Sequence, residues 1–509
     1  MVLEAFGEAL QSLANPQVWY YMIFGSVLGL VLGVIPGIGG LSGMALILPF
    51  VFVMSPYEAL PLMVALGATN TTGGSITSIL LNVPGTGSNA ATLIDGYPMS
   101  QKGQAGRALG AALMSSAAGG ALTVFFAFAM IPLVLPLVFG LRSADMVFLV
   151  LLGLAFIATL GRGAMARGLI SGGLGLAISL IGMQVKTGVG RFTFDSVYLY
   201  DGLPLVPVVL GLFAVPEMIA LAAAGGSIAR AGTIQSTQGV WEGARDVWRH
   251  WWLFVRSSTI GYIIGVIPGI GATAATFIAY GHAKQTSKRP EEFGTGRVEG
   301  VIGPEAANNA KDAGSLLTTL SLGIPGSAEG VFILGAFLIL GITPGPDMMT
   351  KNLGLSLTLF LILIVSNVIG GAICFALAPH LANIALVPGR ILVPSVLTIT
   401  FVGTFAERQD LTDLIVVLVV GALGFAMKEF GFNRAALLLG FVLGNIFEKY
   451  LFIALSADGP LFFARPISMM LLLMVIGVIG YGPIKAGVRR WLRKGGGEAW
   501  TEGAASTSS

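Results

Sequence analysis

The sequence predicts an all-α polytopic membrane protein, and three observations carry that expectation. Of the 509 residues, 55% are hydrophobic and only 10% are charged, where a soluble domain carries about 25% charged residues. The apolar residues gather in runs near the length of about 20 residues that a helix needs to cross a bilayer. Gly and Pro are abundant, at 72 and 24 residues, and both fall inside those runs. Membrane helices accept them because neighbouring helices re-satisfy the freed backbone groups. With so little charge to solvate a surface, and a mean hydropathy of +0.86, lipid has to be the solvent for most of the chain.

Taken in order, the N-terminal segment carries Glu4 and Glu8 and no basic residue before Lys102. That is the reverse of a secretory signal, so the first span is expected to stay in the mature protein. Spans are expected near residues 18–35, 109–139, 146–160, 169–183 and 206–223, then near 252–267, 331–342, 353–377, 391–405, 414–427, 435–446 and 467–481. Several are too short to cross alone and read as half-helices or hairpin arms, giving roughly ten to thirteen transmembrane segments. Residues 241–252 mix Arg with Trp, which suits an interfacial helix. After the last span come Lys485, Arg489, Arg490, Arg493 and Lys494, which place that end in the cytoplasm by the positive-inside rule. Residues 491–509 read as a disordered tail. Cys374 is the only cysteine, so neither a disulfide nor a thiolate metal site is expected.

An internal repeat organises the chain. The heptapeptide Gly33-Val34-Ile35-Pro36-Gly37-Ile38-Gly39 recurs as Gly265-Val266-Ile267-Pro268-Gly269-Ile270-Gly271. A second pair follows, in which Gly73, Thr77, Leu81, Pro84 and Gly85 match Gly314, Thr318, Leu322, Pro325 and Gly326. The expected division is a first half over residues 1–225, a connector over 226–250, a second half over 251–490 and the tail. The first copy follows a stretch without basic residues and the second follows Arg245, Arg249 and Arg256. Opposite sides of approach imply an inverted repeat, a common transporter plan with its site where the repeats meet. The loop carrying Lys284, Lys288, Arg289 and Arg297 runs against this, since simple inverted spans would put it outside.

Each Pro-Gly break adjoins a stretch rich in Ser, Thr and Asn. Pro and Gly stop helices, and irregular backbone at membrane depth persists only where it is buried in protein or lines a wet cavity. Half-helix N-termini at such breaks can bind a carboxylate. The substrate-binding candidates are therefore Gly37, Gly39, Ser42, Asn70, Thr72, Ser75, Thr77, Asn82, Gly85, Thr86 and Ser88 in the first half. Those of the second half are Gly269, Gly271, Thr273, Asn309, Ser315, Thr318, Thr319, Gly326 and Ser327. A packing role competes with this reading, since small and hydroxylated residues also knit helices together. Two matched breaks, each tied to a polar cluster, favour the site. Intramembrane ionisable groups are functional suspects, which makes Glu305, Asp312, Glu329 and Asp347 coupling-ion candidates. Glu58, Asp95, Glu217, Glu407 and Glu448 read as span-end residues, and the three histidines lack partners at metal-ligand spacing. No metal site is expected beyond a Na⁺ held by oxygens at the broken helices, and no cofactor.

No nucleotide-binding P-loop, H-E-x-x-H or complete G-x-S-x-G motif is present, which removes ATP hydrolysis by a phosphate cradle and the common hydrolase signatures. Two rivals to a carrier stand: a passive channel or facilitator, and a rhomboid-like serine hydrolase using Ser42 of Gly40-Leu41-Ser42-Gly43 with His380 as base. Nucleic-acid binding does not fit so many spans.

The runs Gly33–Gly40, Pro61–Ser75, Asn82–Gly85, Gly300–Ala310 and Ile324–Ser327 resemble the TctA family, the large membrane subunit of bacterial tripartite tricarboxylate transporters. The resemblance extends from about Val18 to beyond Gly440. It implies a permease of the bacterial inner membrane that works with a small four-helix membrane subunit. A periplasmic solute-binding protein would deliver citrate or a related carboxylate, and a Na⁺ or H⁺ gradient would drive uptake. Paired broken hairpins would also suit an elevator-like motion.

Overall fold

The computed structural model describes residues 2–35, 39–159, 165–184, 186–224, 239–268, 271–384 and 389–480. The chain opens with α1 (Val2–Leu13), α2 (Pro16–Val34), α3 (Gly39–Val51), α4 (Pro56–Leu81), a 3-10 turn (Gly87–Asn89), α5 (Ala90–Gln101) and α6 (Ala105–Gly140). Then come α7 (Ser143–Thr159), α8 (Met165–Ser179), a two-stranded antiparallel ribbon of β1 (Gly182–Met183) and β2 (Gly190–Arg191), α9 (Val197–Tyr200) and α10 (Leu205–Ala224). The second half holds α11 (Val240–Arg249), α12 (Trp251–Val266), α13 (Gly271–Thr286), α14 (Glu299–Leu322), α15 (Ala328–Ile339), α16 (Pro346–Met349) and α17 (Leu353–Ile384). It closes with α18 (Gly389–Arg408), α19 (Thr412–Glu429), α20 (Arg434–Asp458) and α21 (Pro466–Gly480).

Six helices among the described residues are long and apolar enough to cross a membrane, and four shorter apolar helices accompany them. The molecule is an all-α polytopic membrane protein. Its solvation is inverted relative to a soluble fold. Phe125, Leu133 and Val419 stand exposed on the outside, while Asn70, Thr77, Asn89, Glu305, Asn309 and Lys311 are buried. Residues 36–38, 269–270 and the basic tail, and with them the candidates Gly37 and Gly269, lie outside the described residues.

The repeat is visible in the backbone. Ile35 and Ile267 end their helices at φ/ψ of −82/105° and −83/111°. Gly39 and Gly271 then take positive φ, 61° and 73°, a region closed to most L side chains. Asn82 and Gly323 both cap in the left-handed region, at φ 57° and 67°. Thr86 and Ser327 both return to extended backbone before the next helix.

Within each half the first broken helix runs beside a continuous one. Gly25, Gly29 and Gly33 of α2 lie against Leu62, Leu66 and Asn70 of α4, so the two helices are parallel. Gly261 and Gly265 of α12 lie in the same way against Ala307 and Lys311 of α14. The absence of a Cβ lets these backbones approach closely. Thus α2 stops beside Asn70 in the middle of the 26-residue α4, and α12 stops beside Lys311 in the middle of the 24-residue α14. Each turns back as the second arm of a hairpin that goes in only halfway. The expected span at 252–267 is therefore one such arm, cut short where Pro268 follows Ile267.

The halves are inverted. Asn309 Nδ2 donates to Ala68 O (3.1 Å), and Thr71 Oγ1 donates to Asn309 Oδ1 (3.0 Å). Further along, Asn89 bridges Ser75 Oγ to Glu305, while Val64 and Gly67 meet Asp312, Ser315 and Thr319. Residue numbers rise along α4 as they fall along α14. These two helices are repeat equivalents, so equivalent helices point in opposite directions. The halves also exchange partners, with α6 packed on α14 and α17 packed on α4.

This geometry removes the charge conflict at the loop 284–299. Because α12 and α13 form a hairpin, the loop returns to the side from which α12 starts. Arg256 donates to Thr286 (3.4 Å), His250 lies 3.6 Å from Glu299, and Asp95 midway along α5 accepts from the backbone of Gly294, Gly296 and Arg297. Arg107 at the start of α6 pairs with Asp246 of α11 (2.6 Å). Lys102, Arg107, Arg245, Arg249, Lys284, Lys288, Arg289 and Arg297 thereby gather at one end of the molecule.

Candidate functional site

The four breaks meet. A cavity of about 800 Å³ is lined by Gly39, Gly40 and Ser42 at the start of α3 and by Gly271 and Thr273 at the start of α13. Gly85, Thr86 and Ser88 of the turn leading into α5, and Ala328 at the start of α15, complete this wall. Helix starts from both halves converge because each break sits midway along its companion helix and the halves are antiparallel. A helix start presents unpaired N–H groups and the positive end of its dipole, so the convergence makes an anion-attracting space.

Phe213 and Glu217 of α10 and Arg434 of α20 form the opposite wall. Arg434 donates to Glu217 (2.8 Å) and to the carbonyl of Leu212 (3.1 Å), and its guanidinium lies over the Phe213 ring at 5.4 Å. Lys428 takes the other oxygen of Glu217 (2.7 Å). Glu217 is held by two cations, of which Arg434 is the one that lines the cavity. The cavity thus lies between the broken helices and the pair α10 and α20, and Ser42 of α3 ties the first to α10 by donating to Phe213 O (3.1 Å).

Of the expected site residues, Gly39, Ser42, Asn70, Gly85, Thr86, Ser88, Gly271, Thr273 and Glu329 line the cavity. Asn70 is buried, and its Oδ1 has no hydrogen-bond partner. Others are spent elsewhere. Asn309 donates to Ala68 O, Thr72 Oγ1 and Asn367 Oδ1, which makes it the knot where α4, α14 and α17 cross. Thr77, Thr318 and Thr319 bond back to carbonyls of their own helices, the usual way for a buried hydroxyl to satisfy itself. Asn82 is an exposed helix cap, and Gly326 packs against the carbonyl of Gly265.

Ser315, Ser327, Asp312 and Glu329 surround a separate void of about 30 Å³. Lys311 pairs there with Asp312 (2.5 Å) and Glu329 (3.5 Å). Ser75 accepts from Asn89 (2.9 Å) beside the fully buried Glu305. Asp347 lies on the surface, paired with Lys351 (3.2 Å). His380 is exposed on α17, and the Ser42 hydroxyl is bonded to a carbonyl. Arg434 did not stand out in the sequence, and Glu217, which reads there as a span-end residue, sits inside α10 facing the cavity. Asp95, read in the same way, is buried under the loop 294–297.

Helices broken at matched depths around a polar cavity, in two antiparallel halves, define a multi-pass membrane transport protein. The profile of the tripartite tricarboxylate transporter TctA family matches residues 20–439, and the chain belongs to that family. It is 35% identical over 460 residues to an Agrobacterium vitis protein described as "Uncharacterized 52.8 kDa protein in TAR-I ttuC' 3'region", covering 89% of this chain and 90% of that one. A second Agrobacterium vitis relative, "Uncharacterized protein in TAR-II ttuC' 3'region", is 36% identical over 215 residues, or 42% of this chain and 89% of its own. No solved structure gives a significant match. As a component of a tripartite transporter, the chain works with partner subunits.

Proposed function

We propose that this chain is the permease of a secondary active transporter that carries small carboxylates across the bacterial inner membrane. The observation that supports it is the convergence of helix starts from both repeats, with Arg434, on one cavity. A citrate-like anion brings several carboxylates, and a ring of N–H groups facing a guanidinium can engage more than one of them. A small four-helix membrane subunit and a periplasmic solute-binding protein complete the transporter. The latter hands substrate to the face opposite the basic cluster, which the positive-inside rule assigns to the cytoplasm along with the C-terminus.

An inward Na⁺ or H⁺ gradient drives accumulation. A facilitator with the same fold would only equilibrate its substrate. The test is uptake of labelled citrate, succinate and related acids into proteoliposomes holding the complete transporter, under an imposed ion gradient. Accumulation beyond equilibrium for at least one carboxylate is the expected outcome. Equilibration without accumulation would favour the facilitator, and no uptake of any acid would refute the proposal.

A further inference from the structure

Glu305 is a carboxylate of the molecular interior whose side-chain hydrogen-bond partners are neutral hydroxyl and amide donors. It is 0% exposed. Thr92 Oγ1 donates to its Oε1 (2.5 Å), Asn89 Nδ2 lies 3.4 Å from the same oxygen, and Ser116 Oγ donates to Oε2 (2.5 Å). The charged and titratable groups on the surrounding elements are engaged elsewhere or stand apart. Asp95 of α5 is held by Tyr280 of α13 and by the backbone of Gly294, Gly296 and Arg297, and Arg107 of α6 pairs with Asp246. Lys311, farther along α14, pairs with Asp312 and Glu329, and Glu58 of α4 closes a cap at the far end of its helix. The Tyr262 hydroxyl of α12 bonds to none of them. A carboxylate sealed from water with no counter-charge is costly as an anion, and protonation removes the cost.

The fold does not need this group. Aligning Gly73 with Gly314 and Gly85 with Gly326 places Val64, Gly330 and Ile333 where Glu305, Asn89 and Thr92 stand in the other half. At that counterpart position the packing simply leaves the void of about 30 Å³. Glu305 is also wired to the cavity. Thr86 Oγ1, on the cavity wall, contacts Ser88 Oγ (2.9 Å) and donates to Asn89 Oδ1 (2.5 Å), and the amide of the same Asn89 reaches Ser75 and Glu305. An anion seated at the turn that leads into α5 therefore acts on the residue that contacts the buried carboxyl.

We propose that Glu305 is the site where the coupling ion binds, that this ion is a proton, and that Asn89 links its occupancy to the anion in the cavity. This rests on the transport reading above. The proton adds to one carboxylate oxygen. The resulting O–H donates to the Thr92 or Ser116 hydroxyl, which turns from donor to acceptor, and the proton leaves again on the cytoplasmic side with the substrate.

The experiment compares wild-type transporter with Glu305→Gln, an isosteric stand-in for the protonated acid, in proteoliposomes free of Na⁺. Wild type should accumulate labelled carboxylate under an inward proton gradient. The variant should lose at least tenfold in accumulation while retaining counterflow exchange, now independent of pH. Proton-driven accumulation by the variant at the wild-type level would overturn the proposal, as would wild-type accumulation that is absent in these proteoliposomes and appears only when a parallel preparation is given an inward Na⁺ gradient. A wild type without counterflow would instead strike the transport reading itself. Ser116→Ala provides a second arm should the glutamine variant not assemble. It strips one donor from the carboxylate, so the pH midpoint of uptake should rise, and an unmoved midpoint counts against Glu305.

Discussion

Arg434 shows how much a single side chain can depend on its fold. In the sequence it opens an apolar run and nothing marks it for the site. In the structure Asn433 caps α20 by accepting from the Ala436 N–H (3.1 Å), and this start lies beside α10, so the guanidinium faces the cavity. Hydrogen bonds to charged groups contribute about 1.5–3 kcal/mol, which sets the expected effect. Arg434→Gln should raise the KM for carboxylate uptake about tenfold to a hundredfold. Membrane expression should persist, because Lys428 still neutralises Glu217. Unchanged KM in a dose–response of initial uptake would remove Arg434 from the substrate path. The Ser and Thr candidates show the reverse problem. Their enrichment near the breaks was legible, but whether a hydroxyl faces a cavity or bonds back to its own helix depends on rotation about the helix axis. Thr86 and Thr77 are alike in sequence, and only the first lines the site.

At the scale of elements, the Pro-Gly breaks were legible because Pro and Gly act locally. What they could not reveal is depth. That α2 and α12 stop midway follows from where they meet α4 and α14, a contact between residues far apart in sequence. The charge pattern of the loop 284–299 misled for the same reason, since a half-depth hairpin returns its loop to the side it left. The close crossings behind this geometry make a definite prediction. A Cβ at Gly33 would collide with the main-chain carbonyl of Asn70, and one at Gly265 with that of Lys311. Backbone cannot yield as a side chain can, so Gly33→Ala or Gly265→Ala should destabilise by about 1–3 kcal/mol. Gly7→Ala in α1, where nothing lies within 4 Å, should be neutral or slightly stabilising on helix propensity. Thermal unfolding of the purified variants in detergent checks this. Equal midpoints for all three would mean that close backbone contact at the α2–α4 and α12–α14 crossings does not limit stability.

At the scale of the whole molecule, the cavity separates two layers of helices. The broken helices with α4, α6, α14 and α17 supply the helix starts, while α10 and α20 supply Phe213, Glu217 and Arg434. Transport requires the site to open to each side of the membrane in turn. A layered design can do this by sliding the first layer, with its bound anion, past the second. Ser42 on α3 and Phe213 on α10 sit on opposite sides of that boundary and touch through the Ser42 hydroxyl at 3.1 Å. Joining them should therefore stop transport without disturbing either layer. In a Cys374→Ser background, Ser42→Cys with Phe213→Cys, bridged by a short bifunctional thiol reagent, should lose nearly all uptake and recover it when a cleavable bridge is reduced. Either single cysteine treated alike should keep most of its activity. Full uptake with the bridge intact would show that the two layers move as one body, and alternating access would then have to come from the hairpin tips alone.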